Sequence, residues 1–247
     1  MKEDYAIAVR SYKRPEIFRD KTFKTLNDNK LLNKMYVFVA DDKEKKTYEK
    51  VLPIGTRIII GEKGGCNAVK AICKYFKPNS RIVFMDDDLK DYYGNITLTN
   101  LIEDGFETID KEKCGAFTVS LISNKLWTKD KPTKECRWFV LRGSFWGARN
   151  DYDMIVTPMS HADDILRTSR YLEKYGKICV FWKCGFKTKY GIEDGGMQVS
   201  GDRLDTESSC NTVYNNYSIV QKYFKKPEYS EEAKLWDMKI KPYRQKK

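Results

Sequence analysis

Short apolar runs and longer amphipathic stretches alternate along the first third of the chain. Tyr5-Ala-Ile-Ala-Val9 is apolar throughout and predicts a buried strand. Pro15 then opens a stretch in which Ile17, Phe18, Thr22, Thr25 and Leu26 fall close to helical spacing. Tyr36-Val-Phe-Val-Ala40 predicts a second strand ended by Asp41-Asp42, and Arg57-Ile-Ile-Ile60 a third ended by Gly61. Val69, Ile72, Cys73 and Phe76 mark one helical face, broken by Pro78-Asn79-Ser80. Arg81-Ile-Val-Phe-Met85 predicts a fourth strand that runs into Asp86-Asp87-Asp88.

The rest is less regular. Leu101 to Ile109 predicts a helix with Ile102, Phe106 and Ile109 on one face, and Ala116-Phe-Thr-Val-Ser-Leu-Ile122 a strand. Residues 123–150 are basic and aromatic with little periodicity. Ala162 to Tyr175 predicts a helix stopped by Gly176, and Ile178-Cys-Val-Phe-Trp182 another strand. Residues 185–210, rich in Gly and Asp, read as loop. Val213, Tyr217, Val220 and Phe224 predict one last helix, before a charged, loosely packed tail. Strands apolar throughout and alternating with helices predict an α/β fold, a mostly parallel sheet flanked by helices. We expect one domain over 1–247, with halves at 1–122 and 123–224 and a basic tail at 225–247.

Composition narrows the class. At 41% hydrophobic and 13% aromatic the chain is too apolar to be disordered. No apolar run approaches the roughly 18 residues of a membrane span, and Met1-Lys2-Glu3-Asp4-Tyr5 is no signal peptide, so a cytosolic protein is expected. The seven cysteines include no C-x-x-C, and a single histidine, His161, cannot complete a zinc cluster, which argues against a disulfide scaffold and structural zinc. One histidine also disfavours a Ser-His-Asp hydrolase and points to carboxylates or a metal. The 46 Lys and Arg against 35 Asp and Glu give +11. That excess concentrates in residues 10–24 (six bases, two acids), 125–149 (seven, two) and 225–247 (eight, four). Clustered positive charge attracts polyanions, or forms a lysine-rich solvated surface.

Three adjacent carboxylates at the end of an apolar strand are costly unless a cation neutralises them. In an extended segment Asp86 and Asp88 point the same way and offer hard oxygen ligands to Mn²⁺ or Mg²⁺; a solvated acidic turn is the alternative. Gly61-Glu-Lys-Gly-Gly65-Cys-Asn67 is a glycine-rich strand-to-helix junction that either approaches a phosphate or forms a turn with Asn67 as cap. His161-Ala162-Asp163-Asp164 precedes a helix, where acidic residues cap and complement the dipole. Residues 125–149 interleave Trp127, Trp138, Phe139, Phe145 and Trp146 with Lys125, Lys129, Lys131, Lys134, Arg137, Arg142 and Arg149, a composition suited to phosphates and bases or to a core with solvated lysines.

The order of these features resembles the nucleotide-sugar-binding half of GT-A-fold glycosyltransferases over about residues 5–90. By that resemblance Ala8-Val-Arg10-Ser11-Tyr-Lys13-Arg14-Pro15 meets the nucleotide, Asp42 reads the base, and Gly65 and Asn67 open the helix before the metal motif. Asp86-Asp87-Asp88 is similar to the D-x-D motif, implying Asp86 and Asp88 as metal ligands with Asp86 and Asp87 near the nucleotide sugar, and UDP as carrier. His161-Ala162-Asp163-Asp164 resembles the x-E-D motif of inverting enzymes, implying Asp164, or else Asp163, as the base that deprotonates the acceptor. Many of these enzymes supply a C-terminal histidine to the metal; here Asp194, Asp202 or water would take its place, or Asp88 and the diphosphate would hold the metal alone.

The Ser-Tyr-Lys-Arg-Pro opening, the Phe-Met-Asp-Asp-Asp ending and Gly143-Ser-Phe-Trp-Gly-Ala-Arg149 further resemble the phage-type TET/JBP-associated DNA-base glycosyltransferases. That resemblance implies hexosyl transfer onto a hydroxymethylated pyrimidine in DNA within a host cytoplasm. Arg137, Arg142 and Arg149 would then meet phosphates, with Trp146 near an extruded base. No membrane and no obligate protein partner are expected. Three alternatives stay open: transfer to a glycan or protein, a metal-dependent nucleotidyltransferase or nuclease, and a DNA-binding protein without catalysis.

Overall fold

The computed structural model describes residues 4–120, 129–141, 143–159, 162–187, 206–230 and 235–242. Eight strands form one sheet in the order β3-β2-β1-β4-β8-β6-β9-β7. They are β1 (Tyr5–Arg10), β2 (Met35–Val39), β3 (Ile58–Ile60), β4 (Arg81–Asp86), β6 (Ala116–Val119), β7 (Lys134–Arg137), β8 (Phe145–Arg149) and β9 (Ile178–Phe181). Strands β1, β2, β3 and β4 pair in parallel; β8 runs antiparallel to both β4 and β6, β9 is parallel to β6, and β7 reverses against β9. The sheet is therefore mostly parallel, as expected, with β8 and β7 reversed. Outside it, β5 (Lys90–Tyr93) pairs with β10 (Gly185–Lys187), and β11 (Glu228–Ser230) with β12 (Leu235–Asp237).

The pleat sends alternate residues to two cores. Ile7 and Val9 of β1, with Val83 and Met85 of β4, join one cluster; Ala8, Ile82 and Phe84 join the other. The first is covered by α1 (Pro15–Phe18), α2 (Lys24–Asp28), α3 (Asp42–Val51) and α5 (Leu98–Glu112), through Phe18, Leu26, Tyr48 and Phe106. The second is covered by α4 (Gly65–Tyr75), α6 (Tyr152–Ile155), α7 (Asp163–Tyr175), α8 (Thr206–Asn216) and α9 (Ser218–Tyr223), through Val69, Ile155, Leu166, Val213 and Val220. Burying both faces is what an apolar parallel sheet requires. Among the described residues no helix is long and apolar enough to cross a membrane.

Several expectations need correction. The stretch 185–210 is not all loop: it opens with β10, and residues 206–210 belong to α8. Asp42–Val51 forms a helix that its charged sequence hides: only Tyr48 is buried, and Asp41 caps it by accepting from the Glu44 N–H at 2.9 Å. The segment 123–150 contributes β7 and β8, and four of the five β8 residues are buried. The last helix is two, broken at Tyr217. The described part of the tail is packed: β11 pairs with β12, Met238 is buried, and Trp138 Nε1 donates to the Lys241 carbonyl at 3.0 Å.

Phe117 of β6 sets a strict packing constraint at the sheet centre. It lies opposite Gly147 of β8 and against Gly105 of α5, where an added Cβ would meet its ring at 2.6 Å. A Cβ at Gly147 would overlap the same ring more severely. Gly147→Ala should therefore cost about 1–3 kcal/mol in urea unfolding, and adding Phe117→Leu should recover part of that loss.

Candidate functional site

The site is built where β1 and β4 end side by side. Parallel pairing sets Arg10 opposite Asp86, and Arg10 Nε donates to Asp86 Oδ1 at 2.9 Å. The Arg10 guanidinium also reaches the Gly143 carbonyl at 3.4 Å, and the Asp86 N–H donates to the Ser144 carbonyl at 2.9 Å. The start of β8 thus closes over the carboxyl end of β4.

The three carboxylates part company. Asp86 faces Arg10, whereas Asp87 turns inward and is 6% exposed. Ser11 Oγ donates to Asp87 Oδ2 at 2.6 Å and shares a 2.6 Å hydrogen bond with the Tyr48 hydroxyl, which accepts from the Arg14 N–H at 3.2 Å. Arg14 bridges Asp87 at 3.4 Å and Asp88 at 3.7 Å. Burial pushes the Asp87 carboxyl up to about 7, against the opposing pull of Ser11 and Arg14.

A π-helical turn, Arg19–Phe23, joins α1 to α2 and directs Thr22 at the same loop. Thr22 Oγ1 donates to the Asp86 carbonyl at 2.7 Å and accepts from the Leu89 N–H at 2.9 Å. Thr25 Oγ1 donates to the Leu89 carbonyl at 3.2 Å. The loop carrying the acidic triplet is therefore pinned through its backbone, which leaves its carboxylates to make the site.

Helix α7 enters from the second half. Arg167, 1% exposed, pairs with Asp163 at 2.6 Å, donates from Nε to the Ile155 carbonyl at 3.0 Å, and lies 4.8 Å over the Trp146 ring. Burial pulls the Asp163 carboxyl up, but Arg167 and Arg10 together outweigh it and hold it below the usual carboxylate value. The charge of Asp163 thus reaches Arg10, whereas that of Asp164 acts on the Cys210 thiol.

Ser11, Arg14, Asp86, Asp87 and Asp88 form one cluster, with Asp163 linked through Arg10. Asp42 is exposed in the first turn of α3, behind its cap Asp41. Gly65 opens α4, whose N-cap is Gly64 at φ +103°, a conformation that favours glycine. Asn67 does not cap this helix: it lies in the first turn and its amide donates back to the Lys63 carbonyl at 3.0 Å. Thr22, Tyr48 and Arg167 are site residues that the sequence reading does not single out, and Arg10 enters it only as part of the segment that meets the nucleotide. Their available signals were an arginine closing an apolar strand, a lone aromatic in a charged helix, and an i,i+4 pairing of Asp163 with Arg167.

The acceptor residues are placed elsewhere. Trp146 is 1% exposed; Phe84, its cross-strand partner, stacks on it at 4.0 Å and 6°. It is a core residue, with no face left for an extruded base. Arg149 lies opposite Arg81, the first residue of β4, and forks onto Asp110 at 3.0 and 3.1 Å. Arg137 lies opposite Ile178, the first residue of β9, and pairs with Glu135 at 3.3 Å. Both arginines therefore sit at the amino end of the sheet, about 17 Å along the strands from Asp86. Lys125, Trp127, Arg142, His161, Asp194 and Asp202 lie outside the described residues.

No cluster of three or more His, Cys, Asp and Glu side chains forms a metal cage among the described residues. Asp86 and Asp88 are partly exposed and supply hard oxygens, a donor set that fits a divalent ion completed by substrate phosphates and water.

No family model and no curated relative matches the sequence. Several solved structures are similar. S. aureus TarS 1–349 in complex with UDP-GlcNAc aligns at 16% identity over 80% of this chain and 61% of that one, with a TM-score of 0.48. A mannosyltransferase from Pyrobaculum calidifontis in complex with GDP-Man and Mn²⁺ aligns at 11% identity over 73% and 57%, with a TM-score of 0.48. CMP:2-keto-3-deoxy-manno-octonic acid synthetase complexed with CTP aligns at 10% identity over 74% and 91%, with a TM-score of 0.45. The chain spans about three fifths of the length of the first two.

Asp163→Asn should leave Arg167 buried without its counter-charge and cost about 3–5 kcal/mol in denaturant unfolding. Because the folded-state carboxyl is held below its ordinary 3.8, this contribution is present above that value and lost as pH falls through the folded-state value. The stability gap between wild type and Asp163→Asn should accordingly narrow on acidification.

Proposed function

We propose that this chain is a glycosyltransferase that binds a nucleotide sugar at the carboxyl ends of β1 and β4. The observation that carries the reading is the interleaving there of Arg10, Ser11 and Arg14 with Asp86, Asp87 and Asp88. Ligands of open α/β sheets bind at this end, and alternating cations and carboxylates suit a diphosphate bound with a divalent ion. Each guanidinium has five donors, enough to serve both an aspartate and a phosphate oxygen. Asp86 and Asp88 would hold Mn²⁺ or Mg²⁺, which when bound neutralises charge on the departing diphosphate. UDP is the proposed carrier.

An acceptor hydroxyl attacks the anomeric carbon, the bond from that carbon to the diphosphate breaks, and the hydroxyl proton passes to a base. We assign that base to Asp164. Asp163 is already committed to Arg167, and a carboxylate held below its ordinary value is a poor proton acceptor. Arg10 and Arg14 favour departure of the diphosphate by meeting the charge that develops on it. Calorimetry with UDP and Mn²⁺ should show binding to wild type and a loss of at least about tenfold in Asp88→Ala; equal affinities overturn the site. Asp164→Asn should keep nucleotide affinity while transfer falls about 100-fold or more; transfer at the wild-type rate overturns the base assignment.

The proposed acceptor is a hydroxymethylated pyrimidine in DNA, and its support is now the net charge of +11 alone, since Trp146 is core and Arg137 and Arg149 face away from the site. Binding to a duplex carrying 5-hydroxymethylpyrimidine should weaken by about 0.9 log units per log unit of salt for each phosphate neutralised. A flat salt series, or transfer only to free sugars or peptides, would move the acceptor to a glycan or protein.

A further inference from the structure

Far from the acidic triplet, at the amino end of the sheet, three cysteines meet. Cys136 on β7 and Cys179 on β9 are direct partners in an antiparallel register. Directly opposite residues have Cα atoms about 4.5 or 5.5 Å apart, both within the span a disulfide bridges. Their side chains share a face: Cys114 and Cys179 are buried in the first core cluster and Cys136 packs against it.

Cys136 alone of the three is partly exposed. It lines a cavity of about 500 Å³ together with Glu135, Arg137, Trp138, Tyr175, Gly176 and Lys177, in which Arg137 pairs with Glu135 and Lys177 with Glu112. The cavity thus gives a small molecule a route to the Cys136 segment of the strand edge. We propose that Cys136 is a thiol–disulfide exchange site, entered through this cavity by a small disulfide and resolved by Cys179 across the strand pair.

The Cys136 thiolate attacks one sulfur of the small disulfide. A protein–small-molecule disulfide forms, and the other half leaves as a thiolate. Cys179 then attacks the Cys136 sulfur. The protein disulfide forms, the second small thiol leaves, and the Cys179 proton goes with it. Two protein thiols are oxidised and one small disulfide is reduced to two thiols. Hydrogen bonds from Cys114 and Cys179, with Lys177 and Lys134 close by, hold the Cys136 thiol well below its ordinary value, the condition for an attacking thiolate. The resolving Cys179 is held above it by the same contact and by burial, so it stays a thiol until Cys136 carries the leaving group.

Oxidised glutathione is the probe, added to the full chain, with peptide mapping of the products. The expected result is a Cys136–Cys179 disulfide in wild type, and a glutathione adduct confined to Cys136 in Cys179→Ser. A Cys136–Cys114 linkage overturns the register assignment, and no reaction at Cys136 overturns the site. Wild type alone gives an independent reading should the variant fold poorly. At pH 6 Cys136 should be alkylated by iodoacetamide at least about tenfold faster than the half-buried Cys66, and equal rates overturn the proposal.

Discussion

Three carboxylates in sequence at the end of a buried strand must be kept apart from one another's charge, and the surrounding structure is organised around that need. Two like charges about 4 Å apart repel by about 4 kcal/mol at the effective dielectric of a protein surface. The fold divides the triplet among three environments: Arg10 for Asp86, the Ser11 hydroxyl for Asp87, and Arg14 for Asp88. All three partners come from β1 and its exit, so the arrangement depends on the parallel pairing of β1 with β4. Tyr48 of α3 and Thr22 of the π-helical turn then fix the two approaches, one through Ser11 and the other through the backbone of the acidic loop.

The first four strands were legible because each is an unbroken apolar run, buried on both faces in Ile82 to Met85 and apolar even at the partly exposed edge strand β3. What escaped was of two kinds. Helix α3 presents one buried residue in ten, so its hydrophobic face is a single tyrosine and no period could mark it. Strands β7 and β8 are four and five residues long, and β8 mixes two aromatics with Gly147, whose lack of a side chain makes room for Phe117. The acidic triplet, Ser11 and Arg14 were found because strand order alone brings strand ends together. Arg137 and Arg149 were misplaced because strand direction is invisible in composition: a reversed strand carries its last residue to the far edge of the sheet.

The basic excess also takes on a different character once pairings are known. Arg10, Arg14 and Arg167 are spent internally, on Asp86, on Asp87 with Asp88, and on Asp163. Arg81 and Arg149 share Asp110. The arginines thus act largely as structural counter-charges with directed geometry, while any long-range field toward a polyanion falls mainly to the lysines, whose point charges demand no such geometry.

The insertion of β8 between β4 and β6 bears on how the chain is made. Synthesis delivers β1 to β4 first, and these can pair as soon as they emerge. Strand β4 then waits for residues 145–149, and meanwhile Ile82, Val83, Phe84 and Met85 form the open margin of a half-built sheet. An apolar margin of this kind is a template for another nascent chain. Here it is bracketed by Arg81 at one end and the aspartate triplet at the other, so like-charged ends would confront each other when two such margins aligned in parallel. The carboxylates that later define the site would in that interval act as gatekeepers against misassembly.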